Sequence, residues 1–389
     1  MVRGLCVPAV WRDDSARDER IRPRGDHPAP RVPLKEQIHA MADPGCGRLP
    51  LRFRNHDVRR RSLSDRRQAA ARGTARGGLL FHPMRITILG ASAGGGFPQW
   101  NCNCRNCAGV RSGAVRAKAR TQSSIFVQGD AGADGVLFNA SPDILEQIRS
   151  NPTLQPGRAL RDTAIAGVVL MDGQVDHATG LFMLRERGRP LPLWCTDPVH
   201  EDLTTGNPVL NVLGHYCGVD RRRIEPTGAR FEVPGATHLE FRAFALSSKA
   251  APYSPHRDAP VPGDNIGMLI TDPRSGRSMF YAPGLGEITP ALFDVMSGAD
   301  AVLVDGTFWT DDEMIRLGLS KKTARDIGHL PQSGEGGMMA CLDRLPARTR
   351  RFLIHINNTN PILDEDSAQR AELARHAIVP CEDRMTIEI

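Results

Sequence analysis

No run of about 18 apolar residues occurs in the chain, which excludes a membrane-spanning helix of ordinary length. The amino terminus also lacks the uninterrupted apolar core of a secretory signal, because Asp13, Asp14 and Arg17 break it. Missing too is the even, spaced set of cysteines of a disulfide framework: there are 9, and three of them stand at 102, 104 and 107. That pattern favours a reducing compartment and a metal site, so a cytoplasmic location is the expectation. Finally, most of the chain lacks an excess of positive charge. The formal net charge is +6, but residues 1–83 hold 18 basic residues (17 of them Arg) against 9 acidic ones. Residues 84–389 hold 32 basic against 35 acidic, so the body is mildly acidic and charge alone gives no reason to expect a nucleic-acid partner.

What is present is a chain of 389 residues, 40% hydrophobic, enough for one large domain or two. Residues 1–83, rich in Arg, Pro and Gly without helical or strand periodicity, read as a disordered extension. Interspersed Asp and Glu suit neither a transit sequence nor a nucleic-acid-binding tail, and the expected natural start is Met84. From there the character changes. Apolar strands are predicted at 84–90, 123–129, 135–140, 163–172, 191–196, 239–246, 265–272, 278–282, 300–306 and 351–356. Helices are predicted between them at 141–150, 180–187, 288–298 and 334–345, with no internal repeat. The fold class is therefore α/β, with residues 84–389 forming one domain of two layered sheets. Asp172, Asp305 and His355 fall at or near strand ends, where α/β proteins carry their chemistry.

Two constellations stand out. Cys102, Cys104 and Cys107 form a C-x-C-x-x-C that suits a structural Zn(II) needing one more ligand; the bland alternative is three free thiols in a loop. DGQVDH (172–177) follows a strand, and Asp172, Asp176 and His177 can share a site, although an Asp-His pair after a strand is often only a cap or turn. With His355 they offer two histidines and a carboxylate, the facial set of non-haem Fe(II) oxygenases.

The segments GGGFPQWNCNCRNC (94–107), RTQSS (120–124), NASPDI (139–144), DGQVDH (172–177), APYSPHR (251–257) and GDNIG (263–267) carry a resemblance. So do FYAPGLG (280–286), VDGTFW (304–309), GHLPQSG (328–334) and HINNTNPILDEDS (355–367). In that order they are similar to the coenzyme PQQ synthesis protein B family of the metallo-β-lactamase superfamily, over most of residues 84–389. The resemblance implies an αββα sandwich with two mixed sheets flanked by helices. Against the H-x-H-x-D-H of the superfamily's hydrolases, Asp172 and Gln174 replace the two leading histidines, while Asp176 and His177 match the last two positions. His355 matches the late-strand histidine, and Tyr281 is the candidate replacement for the bridging aspartate. Loss of a two-metal clamp speaks against hydrolysis. The resemblance then implies an Fe(II)- and O2-dependent hydroxylase of a tyrosine-derived (Glu–Tyr) precursor in pyrroloquinoline quinone (PQQ) biosynthesis. Asp176, His177 and His355 would be its iron ligands, and Asp172 the candidate fourth. In relatives with a zinc-binding cysteine loop, a histidine three residues after the late-strand histidine can complete the zinc site. Here that position is Asn358, a poor zinc ligand, so a water or an acid is expected instead.

Tyr253, His256, Asp305, His329 and Trp100 are weaker candidates for contact with substrate or ligands, each with a structural alternative. The loop 93–96 offers backbone N–H groups, and Lys321, Lys322 and Arg325 offer charge, to a substrate rich in carboxylates. Expected partners are PQQ or its precursor, O2, other proteins of the PQQ pathway and a second copy in a homodimer. The rival readings are a non-catalytic carrier moving PQQ or its precursor towards the periplasm, and a hydrolase with a rebuilt metal site.

Overall fold

The computed structural model describes residues 83–389; apart from Pro83, the expected extension lies outside the described residues. Two seven-stranded mixed sheets face each other. The first runs β14-β1-β2-β3-β4-β5-β6, from β1 (Arg85–Gly90), β2 (Ser124–Gln128), β3 (Gly135–Phe138), β4 (Ile165–Val169), β5 (Leu191–Cys195), β6 (Val219–Arg223) and β14 (Thr386–Glu388). The second runs β13-β12-β11-β10-β9-β8-β7, from β7 (Thr227–Phe231), β8 (Glu240–Ala245), β9 (Ile266–Asp272), β10 (Arg277–Ala282), β11 (Ala301–Asp305), β12 (Arg350–Ile354) and β13 (Ile378–Pro380). In each sheet the pairings are antiparallel on one side and parallel on the other, β3 to β6 in the first and β10 to β13 in the second.

Strand periodicity explains the layering. Ile86, Ile88, Val127, Phe138, Val169 and Met171 point between the sheets, against Phe241, Met268, Ile270, Tyr281, Leu303 and Ile354. The alternate residues Leu89, Phe126, Leu137 and Val168 face outward onto α2 (Ile144–Ser150), α4 (Asp197–Asp202) and α5 (Val209–Leu213). Phe280, Val302, Val304 and Leu353 do the same beneath α1 (Arg105–Ser112), α6 (Pro290–Gly298), α7 (Met338–Asp343) and α8 (Ala368–Arg375). The expected αββα sandwich is thus the observed one. Helix starts are set locally: the side chains of Thr196, Thr289 and Ser367 accept from Val199 N, Leu292 N and Arg370 N at the starts of α4, α6 and α8.

All ten predicted strands are present. The segment 180–187, expected as a helix, is instead a 3-10 stretch over Thr179–Leu184. The strands that periodicity misses, β6, β7, β13 and β14, are the four sheet edges. Partly exposed and, in β6 (VDRRR) and β7 (TGARF), rich in arginine, they present no apolar run.

At one end the sheets are tied together. Ser92, after β1, bridges to Ile356 after β12, and Asp172, after β4, bridges to Asn265 before β9. The carboxyl ends of β4, β11 and β12 therefore bring Asp172, Asp305 and His355 to one rim. Among the described residues no helix is long and apolar enough to cross a membrane.

Candidate metal centres

The chain leaves β4 through Met171, whose N–H donates to Asn139 Oδ1 at 2.9 Å, and turns into a single helical turn, α3 (Val175–Ala178). This turn puts Asp176 and His177 side by side. His177 is 2% exposed. Its Nδ1 lies 2.8 Å from both Asp172 oxygens, which fixes the ring and aims Nε2 away from Asp172. Nε2 is buried and has no hydrogen-bond partner, while Asp176 Oδ2 stands 3.8 Å from it.

From the second sheet, His355 follows β12 with φ 59°, a left-handed backbone that non-glycine residues seldom adopt. It turns Nε2 to within 3.1 Å of Asp176 Oδ2, and its ring lies edge-on to His177 with centroids 5.1 Å apart. One ligand atom from each of Asp176, His177 and His355 thus converges within 4.8 Å. Gly94 leaves room for this approach: a Cβ there would stand 3.3 Å from Asp176 Oδ2, and the carboxylate would have to give by a few tenths of an ångström.

Electrostatics follow from the geometry. Burial alone would raise the Asp176 carboxyl, but the neighbouring His177 and His355 rings outweigh it and hold it below the ordinary range. Burial likewise opposes a charge on His177, yet the Asp172 and Asp176 carboxylates push its pKa up to about 9. A buried, orphaned imidazole nitrogen facing a carboxylate and a second imidazole suits a divalent cation.

Behind His355 lies a second network. Its Nδ1 is 2.9 Å from Thr307 Oγ1, which donates to Asp305 Oδ1. Asp305 Oδ2 is 2.6 Å from His329 Nδ1, and the His329 ring stacks on His355 with centroids 5.5 Å apart. Burial would lower His329, but Asp305 raises it. Asp305, His329 and His355 also cluster within 4.8 Å. Here, however, the facing nitrogens are already engaged by Asp305 and Thr307, so hydrogen bonds account for the group.

The cysteine loop sits beside this rim. Cys102, Cys104 and Cys107 converge, and Asn358 Nδ2 lies 3.0, 3.7 and 3.4 Å from their sulfurs in that order. Burial, with neighbouring thiols adding to it, pushes the Cys104 thiol up to about 11. Cys102 is lowered despite burial, because hydrogen bonds from Cys104, Cys107 and Asn358 favour its thiolate. Adjacent thiols competing for one negative charge behave this way.

Several sequence expectations change. Asp172, the candidate fourth iron ligand, instead has both oxygens 2.8 Å from His177 Nδ1, so it orients that ring. Tyr281, the candidate replacement for the bridging aspartate, is fully buried between the sheets, edge-on to Phe138 at 5.8 Å. Trp100 is 85% exposed, so it neither packs the cysteine loop nor sits in a closed stacking pocket. His256 pairs with Glu201 at 3.1 Å and joins no cluster. Tyr253 reaches the rim from behind: its hydroxyl donates to the Gly173 carbonyl, and burial raises it to about 12. Asp305 supports the histidines, as expected, and His329 stands beside His355. Thr307 and Asn358 are the residues sequence reasoning undervalued. The signal for Thr307 was its place two residues after a strand-end aspartate.

Comparison with known proteins agrees with this picture. A model described as "Beta-lactamase superfamily domain" matches residues 135–356. Coenzyme PQQ synthesis protein B of Azoarcus sp. (strain BH72) is 63% identical over 306 residues, which cover 79% of this chain and 100% of the relative. The protein of that name from Methylobacillus flagellatus is 60% identical over 305 residues, covering 78% and 99%. Among solved structures, a Zn(2+)-bound PqqB from Methylobacterium extorquens superposes with a TM-score of 0.72 at 36% identity, covering 78% of this chain and 100% of that one. The retained Asp176–His177–His355 cluster, the cysteine loop and this likeness agree: the chain belongs to the coenzyme PQQ synthesis protein B family and has a role in PQQ biosynthesis, built on the metallo-β-lactamase fold.

Proposed function

We propose that this chain is an Fe(II)- and O2-dependent hydroxylase of a tyrosine-derived, Glu–Tyr-type precursor of PQQ, with Zn(II) held structurally by the cysteine loop. The observation that carries the reading is the orphaned, buried Nε2 of His177, facing Asp176 Oδ2 and the His355 ring. Asp176, His177 and His355 would hold the iron. Bound there, Fe(II) supplies O2 activation at coordination positions that the protein leaves open.

The chain's own residues do the rest. Asp172 keeps His177 in the tautomer with its proton on Nδ1, leaving Nε2 free for the metal. Thr307, backed by Asp305, fixes the His355 ring. His329 holds its Nδ1 on Asp305, leaving Nε2 as the atom from which a proton can be delivered beside the metal. One oxygen atom of O2 enters the ring and the other leaves as water, which requires two electrons and two protons from an external reductant. The two-metal hydrolysis of the superfamily would need a second metal, and the residues at the first metal site do not provide for one: Asp172 is committed to His177, and Gln174 stands where a histidine would be.

The test is anaerobic Fe(II) reconstitution of the full chain, then O2 and ascorbate with a Glu–Tyr dipeptide or peptide, followed by mass spectrometry. The expected product gains one oxygen atom in wild type and none in His355→Ala. Tight PQQ binding without oxygen gain, unaffected by that substitution, would favour a carrier.

A further inference from the structure

The loop between β8 and β9 runs along the rim that carries Asp172. Its Asn265 bridges to Asp172, and its Tyr253 hydroxyl donates to the Gly173 carbonyl. The same loop packs on α4, where the Thr196 hydroxyl at the helix start donates to the Gly263 carbonyl. Two carboxylates are enclosed between them. Asp202 ends α4 and is 0% exposed; Asp264, in the loop, is 2% exposed. Both Asp202 oxygens and Asp264 Oδ1 are buried without a hydrogen-bond partner, while Asp264 Oδ2 accepts from Val261 N at 2.7 Å.

We propose that Asp202 and Asp264 together bind a hard divalent cation of the calcium type, which fastens the β8–β9 loop to α4. Buried carboxylates need a positive partner or a proton. Among the described residues no lysine or arginine hydrogen-bonds either of them. The His256 ring acts on both but is paired with Glu201 at 3.1 Å. A proton does not suffice. Burial, with the like charge of Asp264, pushes Asp202 up only to about 6, so at neutral pH about nine-tenths of it stays ionised. One divalent ion would match the two charges.

The donor chemistry narrows the choice. Three free carboxylate oxygens, with no sulfur or imidazole among them, suit calcium or magnesium rather than zinc or iron. The Ser254 hydroxyl, near Asp202 but out of hydrogen-bond geometry with it, is a further oxygen donor. Magnesium keeps several of its waters, whereas these oxygens are sealed from solvent, which favours the looser and drier shell of calcium. The site shares no ligand with the cysteine cluster or the Asp176–His177–His355 cluster, so it stands whatever those hold. It does touch the turn that carries Asp172: a Cβ on Gly173 would stand 2.7 Å from Asp202 Oδ2.

The experiment is equilibrium dialysis of the full chain against calcium after treatment with a calcium-specific chelator, with tryptic cleavage after Arg257 in the loop as a second readout. Wild type should take up one calcium per chain, and calcium should slow that cleavage by at least about tenfold. Asp264→Asn should weaken calcium binding by at least about tenfold and lose the protection. Its calcium-free form should melt no lower than calcium-free wild type, because one of two repelling charges is gone, so lost binding would not reflect unfolding. His177→Ala should keep both binding and protection. No calcium uptake by wild type, unchanged uptake by Asp264→Asn, or uptake abolished in His177→Ala overturns the proposal. So does a stability that ignores calcium and rises as pH falls through about 6, since the carboxylates would then be neutralised by a proton instead.

Discussion

The loop after β12 contributes to two candidate metal centres of opposite design, with His355 in one and Asn358, three residues on, beside the other. The cysteine centre gathers soft thiols from one short stretch and is faced on its last side by the Asn358 amide. The Asp176–His177–His355 centre draws harder donors from both sheets and offers three of them. Their supports differ as well. Each histidine of the open centre has an oxygen donor or acceptor behind it, Asp172 for His177 and Thr307 for His355. The closed centre is braced by main-chain contacts, through Asn106 to Asn358 and Asn360. A site meant to bind and release reactants needs rigidly oriented ligands around a vacancy, whereas a structural site needs only closure.

This contrast can be broken from either side. The largest effect is expected at the open centre: His177→Ala or His355→Ala should abolish oxygen insertion while the zinc content stays at wild-type level, read by product mass and metal analysis. At the closed centre, Cys104→Ser should release zinc and lower Tm by about 10 °C, read by calorimetry, because a structural metal contributes folding free energy directly.

A subtler break is Asp172→Asn. It keeps the shape but removes the carboxylate that orients and charges the His177 ring. Iron affinity should fall by about 10–100-fold, with zinc untouched. If iron affinity holds, the supporting role given to Asp172 is wrong.

The smallest effect is graded with pH. In the metal-free protein, Asp172 and Asp176 raise His177 to about 9 against burial. Its folded-state pKa is raised, so the stability it contributes is full below its ordinary value near 6.5 and is lost as pH rises through about 9. On the proposed reading, iron would displace that proton. Anaerobic titration should therefore show Fe(II) affinity rising by up to about tenfold per pH unit towards 9, and the slope should flatten in Asp172→Asn.

Much of this was legible in the sequence because chemistry-bearing residues sit where apolar strands stop. Asp172, His177, Asp305 and His355 announce themselves that way, and so does the density of Cys102, Cys104 and Cys107. What spacing does not reveal is which face of a ligand a neighbour meets. Asp172 lies five residues before His177, yet the turn between them folds it onto Nδ1 rather than towards the metal. Asn358 was undervalued because donor chemistry ranks amides low, while only the fold reveals that its amide faces all three sulfurs. Trp100 reads as a stacking residue in one dimension and is a solvent-facing loop tip in three. The edge strands β6 and β7 were invisible for a related reason, since strands with an exposed edge need no apolar signature.

The most direct measurement is metal content after anaerobic loading with Fe(II) and zinc, in wild type and in His177→Ala. The account predicts one zinc and one iron per chain in wild type, with zinc alone in the variant. Iron retained in the variant, or zinc as the only metal the wild-type chain accepts, would contradict it.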